Sequence, residues 1–186
     1  MRFALAQLTS RPGKEDLLSR ILTGDDLPGH WKTVDERTWL TGRTGPSTPW
    51  SRRARTAGSI SAWRSLHDGA DRWAWAQVVP LASVSDAGTA LAEVGRRILG
   101  NPRAEVRIVR EQDIRLAPFA GASAVWAHEQ HTRPVAKPGT DGVSLLAGAV
   151  GRYVVVLGLS GTPAWDWRSA SGLAARQTAL LTDETG

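Results

Sequence analysis

The hydrophobic positions along the chain change period several times, and each change marks an element. Residues 14–22 (KEDLLSRIL) place Leu17, Leu18, Ile21 and Leu22 on one helical face. Pro12 precedes this helix and Gly24 reads as its C-cap. Asp25-Asp26-Leu27-Pro28-Gly29 then has the composition of a turn. Residues 59–66 (SISAWRSL) and 72–81 (RWAWAQVVPL) alternate as strands, and His67-Asp68-Gly69-Ala70-Asp71 between them reads as a hairpin loop. In the second strand Trp73, Trp75, Gln77 and Val79 share one face, while Ala74, Ala76 and Val78 share the other. Residues 86–99 return to helical spacing through Ala87, Leu91, Val94 and Ile98. Ser85 is the expected N-cap, with Gly100 and Pro102 as the stop.

The second half is strand-rich. Residues 104–110 alternate Val106 and Ile108 against Glu105 and Arg107. Residues 123–132 put Ala124, Trp126, His128 and Gln130 on one face. Residues 143–150 and 153–159 are the arms of a last hairpin turning at Gly151-Arg152. The second arm is apolar on both faces, the pattern of a central strand. Thr162-Pro163 is the expected start of a closing helix, with Ala170, Leu173, Ala174, Gln177, Leu180 and Leu181 along one stripe. Two stretches, 41–58 and 133–142, read as long flexible loops. The expected fold is a single α+β domain spanning 1–186. Its antiparallel sheet has about six strands flanked by three helices, in the order α-β-β-α-β-β-β-β-α.

The opening helix and the segment Thr23-Gly24-Asp25-Asp26-Leu27-Pro28-Gly29-His30-Trp31 resemble the leucine-rich helix and DLP-x-x-W opening of many actinobacterial lipoproteins and sensor-kinase ectodomains. The last apolar hairpin followed by Leu173-Ala174-Ala175-Arg176-Gln177 resembles the closing helix of the same group. The resemblance implies a Mog1/PsbP-like fold and a binding or sensing module with no shared catalytic residues. The chain departs from the lipoprotein members in having neither a signal peptide nor a cysteine to lipidate.

Composition narrows the chemistry. With no cysteine, disulfides, thiolate metal sites and a cysteine nucleophile are excluded. The net charge is +5, but the arginines that supply it are scattered rather than striped, so nucleic acid is not the expected partner. No stretch is long and apolar enough to span a bilayer. Read as complete, the chain would be cytoplasmic; with an export or lipidation segment removed, it would be extracytoplasmic. No Gly-rich phosphate loop and no Gly-x-Ser-x-Gly elbow occurs.

Nine tryptophans stand against two phenylalanines and one tyrosine. Trp63, Trp73, Trp75 and Trp126 fall in expected strands, with Gln77 beside them. Together they form a candidate surface for an apolar or aromatic small molecule, with indole N–H groups to orient it. His128 shares the Trp126 face and is the one candidate acid/base group if the protein is an enzyme, such as a cofactor-independent cyclase or isomerase. His128 and His131 point to opposite faces of a strand and cannot chelate one ion, so neither a metal nor a cofactor is expected. Arg52, Arg53 and Arg55 are candidates for gripping an anion or a protein partner. Exposed tryptophans also suit a protein-partner adaptor.

Overall fold

The computed structural model describes residues 14–40, 60–98, 106–134 and 141–182. Arg52, Arg53 and Arg55, most of the two long loops, and Trp50 lie outside these residues. The elements are α1 (Lys14–Ser19), β1 (Lys32–Leu40), β2 (Ile60–His67), β3 (Trp73–Pro80), α2 (Val84–Ile98), β4 (Val106–Asp113), β5 (Ala124–Pro134), β6 (Asp141–Val150), β7 (Tyr153–Gly161) and α3 (Trp167–Thr182). The strands form one antiparallel sheet in the order β1-β2-β3-β7-β6-β5-β4. This is the expected α+β fold with a seventh strand, β1, added at one edge. The doubly apolar β7 is indeed the middle strand.

The two faces of the sheet bury different cores. On one, α1 and α3 cover Ala62, Leu66, Ala74, Ala76, Val78, Leu146, Val155, Leu157 and Leu159. On the other, α2 presents Ala87, Ala90, Leu91 and Val94 to Val79, Ala147, Ala149, Val154 and Val156. The small alanines of β3 face the two-helix side and the large indoles face the α2 side, as the alternation in 72–81 requires.

Several expected boundaries move because side chains cap the helices elsewhere. α1 ends at Ser19, and Gly24 opens a single 3-10 turn (Gly24–Asp26) instead of capping the helix. The carbonyls left over at the end of α1 are met by the buried Arg64 guanidinium, which donates to Leu18, Ile21 and Leu22 oxygens and pairs with Glu36. Ser83, not Ser85, caps α2: its Oγ accepts the Asp86 N–H and donates to the Asp86 carboxylate. Thr162-Pro163 lies in the turn after β7. α3 starts at Trp167, with Asp166 accepting the Ser169 N–H. The loop expected over 133–142 is shortened at both ends, where β5 and β6 extend into it.

The DLP-x-x-W segment joins the start of the chain to its end. Asp26 accepts the Thr23 N–H and hydroxyl and pairs with Arg176 of α3 at 2.8 Å. Leu27 is buried, and the Trp31 indole donates to the Pro28 carbonyl. Trp31 packs on Trp165 with ring centroids 5.6 Å apart, and the Arg72 guanidinium lies 3.8 Å over Trp165. Deeper in, the fully buried Gln177 accepts the Leu22 N–H at 3.0 Å and donates to the Arg20 carbonyl at 2.8 Å.

Two expectations follow. Gln177→Leu leaves a buried N–H and a buried carbonyl unpaired, so it should lower unfolding stability by about 2–4 kcal/mol, read from the urea midpoint. Burial would raise the Asp26 pKa, but the Thr23 N–H and the Arg176 guanidinium outweigh it and hold the carboxyl below its ordinary value of 3.8. A depressed folded-state pKa contributes stability above the unfolded value that is lost as pH falls through the folded one. Acid unfolding curves below about pH 4 should therefore be flatter in Asp26→Asn than in the parent chain; curves of equal slope would contradict the pairing.

Candidate functional site

The cross-strand register builds the α2-side face row by row. One row runs Asp35, Ser65, Trp75, Gly158, Leu145, His128, Asp113. The next runs Arg37, Trp63, Gln77, Val156, Ala147, Trp126. The row on the other side of Trp75 holds Lys32, His67, Trp73, Ser160, Val143, Gln130 and Glu111. All six strand-borne candidates, Trp63, Trp73, Trp75, Gln77, Trp126 and His128, therefore share one face.

They are not all side by side, although Trp75 and Trp126 both pack against the α2-side core. Trp63, Trp73, Trp75 and Gln77 occupy neighbouring positions on β2 and β3. Trp126 and His128 lie on β5, across β7 and β6, about 14 Å from β3 at ordinary strand spacing. α2 packs over β5, β6 and β7, so the β5 candidates lie on the covered side. His128 is only 3% exposed, whereas Trp73 is 43% exposed. The remaining three on β2 and β3 are half-buried.

Trp75 lies across β7 at Gly158. A Cβ built on Gly158 would stand 2.1 Å from Trp75 Cε2 and Nε1, far inside contact distance. Glycine is needed here for close approach of the ring. At the other end of the patch, Trp73 packs against His67 with centroids 4.2 Å apart. The Arg37 guanidinium sits 6.0 Å from the Trp63 ring and pairs with Asp35.

The tryptophans divide by what their N–H groups do. Trp31 and Trp165, in the opposite core, donate to the carbonyls of Pro28 and Ser160. Among the described residues, the indole N–H groups of Trp63, Trp73, Trp75 and Trp126 and the amide of Gln77 have no protein partner. Buried indoles normally find one, as Trp31 and Trp165 do; Trp63, Trp75 and Trp126 are half-buried and Trp73 is exposed.

The fold is similar to the extracellular domain of PknH from Mycobacterium tuberculosis. That structure matches with a TM-score of 0.61 at 10% identity, over 94% of this chain and 99% of that one. The structure of an Rv0999 ortholog from Mycobacterium smegmatis matches with a TM-score of 0.44 at 9% identity, over 81% of this chain and 87% of that one. No protein-family model and no curated protein matches the sequence. At such identity the PknH likeness is one of fold. At the level of fold it agrees with the expected likeness to actinobacterial sensor ectodomains.

His67 and Asp68, by contrast, serve the hairpin. Asp68 Oδ1 accepts the N–H groups of Ala70 and Arg72, which hold its carboxyl below the ordinary range. Sequence reasoning missed Gly158 as a site residue, because its contact with Trp75 depends on which strands are neighbours.

Gly158→Ala should push the Trp75 ring off β7. The expected readout is a red-shifted emission component and a weakened near-ultraviolet circular dichroism band, with about 1–3 kcal/mol lost to overpacking. Unchanged spectra would contradict the seating of Trp75 on Gly158.

Proposed function

We propose that the protein is a non-catalytic binding or sensing module. In this reading its β2–β3 patch of Trp63, Trp73, Trp75 and Gln77 takes a ring-bearing small molecule, apolar or aromatic in character. The observation that carries this is the division of the tryptophans. Half-exposed indoles with unspent N–H groups, beside a primary amide, offer stacking area and orienting hydrogen bonds together. The fold likeness to an extracellular domain supports a receiving role. The cyclase or isomerase reading needs His128 to face the same enclosed substrate as the β3 indoles. The separation of β3 from β5 and the burial of His128 under the α2 side favour binding over turnover.

The test is a titration of intrinsic tryptophan fluorescence with a panel of indoles, phenols and aromatic carboxylates. Saturable quenching should be lost, by at least ten-fold in Kd, in Trp75→Ala and weakened in Gln77→Ala. Quenching that survives Trp75→Ala and Trp63→Ala with unchanged Kd would sink this site assignment. Quenching by no compound would shift the reading to a protein partner anchored by Trp73.

A further inference from the structure

Edge strand β4 sorts its charges by face. Its register slips by one residue between Ile108 and Arg110. Unbroken alternation would mix Arg107 with Glu111 and Asp113 on one side of the sheet. The bulge at Val109 instead sends both carboxylates to the α2 side, where Asp113 Oδ1 lies 2.8 Å from His128 Nδ1. Arg107 and Arg110 are left together on the two-helix side. There Arg107 stands directly opposite Arg133 of β5, and Arg110 directly opposite His131.

Directly opposed residues on one sheet face have Cβ atoms about 5 Å apart, and like charges so placed destabilise the pair. Carboxylates would relieve this, but among the described residues Arg107, Arg110 and Arg133 form no ion pair. Arg110 reaches the Gln112 amide oxygen at 3.3 Å. Glu129 is the one described acidic side chain on this face of β4 and β5. It lies 3.6 Å from His131 Nε2 and accepts the Gln112 amide at 2.7 Å. On this side α1 packs on β2 and α3 on β6 and β7, and all three arginines are exposed. Charge on an outermost strand guards against edge-to-edge pairing, which accounts for Arg107 and Arg110. Arg133 and His131 stand on the strand inside it and need another reason.

We propose that this cluster binds a phosphate-bearing small molecule. One guanidinium fork fills both oxygens of a carboxylate, whereas a phosphoryl group offers three and accepts from the Arg107 and Arg133 forks together. Arg110 and His131 lie about 7 Å further along the strands and receive a second phosphoryl group. The cluster stops at Glu129, so it matches the phosphates of a small molecule; an extended polyanion needs a longer basic stripe. A bound anion also removes the repulsion between the opposed arginines. The site lies on the opposite face of the sheet from the β2–β3 indoles and does not depend on them.

Isothermal titration calorimetry of the full chain with sodium pyrophosphate in metal-free buffer tests this. One saturable site is expected, at least ten-fold tighter than for orthophosphate. It should weaken at least ten-fold in Arg107→Gln and in Arg133→Gln, and stay unchanged in Arg168→Gln, which removes an exposed arginine of α3. Without anion, Arg133→Gln should unfold at a higher urea midpoint than the parent chain, because the like-charge pair is gone. Pyrophosphate should raise the midpoint of the parent and leave that of Arg133→Gln where it is. No saturable binding, an equal loss in Arg168→Gln, or binding of anionic phospholipid vesicles without binding of pyrophosphate would each overturn the proposal.

Discussion

One helix cannot cover seven strands. At about 4.8 Å per strand the sheet is nearly 30 Å wide, and a helix with its side chains is about 10–12 Å across. On one face α1, the 3-10 turn and α3 share the load. On the other, among the described residues, α2 is the one helix, packed over β5, β6 and β7, with Trp75 of β3 packed against the same core. Indoles are the largest side chains available, and Gly158 allows one of them to lie across the adjacent strand. The asymmetry of β3, with alanines toward two helices and indoles toward one, fits this unequal cover.

The same economy explains the segment that resembles actinobacterial ectodomains. Its buried side chains, Leu27 and Trp31, belong to the two-helix core. Asp26, Leu27, Pro28 and Trp31 clasp α3 and the Trp165–Arg72 stack, while Gln177 bridges the backbone at the end of α1. What the resemblance carries is therefore the joining of the first and last elements over the two-helix face. A motif of that kind reports how the domain closes, and the residues of the β2–β3 patch are free to differ.

The periodic elements were legible because their cores are one-sided: the alternation of 72–81, the stripe of α2 and the doubly apolar β7 each required its position. β1 was not, since Lys32, Asp35, Glu36 and Arg37 line an edge strand whose bulge at Val34 breaks the alternation. The matching bulge at Val109 hid the carboxylates facing His128. Unbroken alternation through β4 would place Arg110 and Gln112 there instead. The shared face of the six candidates was readable from strand periodicity, but its division was not. Periodicity assigns a residue to a face; strand order decides its neighbours, and here two strands separate β3 from β5. Both edges expose their bulged valine, at 54% for Val34 and 44% for Val109, which twists them away from edge-to-edge pairing.

The central claim is that the β2–β3 indoles are kept open while those of the opposite core are used up. Hydrogen exchange of the indole N–H groups, followed residue by residue by 15N NMR, measures this directly. Trp31 and Trp165 should exchange slowly, at rates tied to opening of the fold, and Trp63, Trp73 and Trp75 should exchange quickly with solvent. Slow exchange at Trp63 and Trp75, matching that of Trp165, would show them to be sealed packing and would contradict the account.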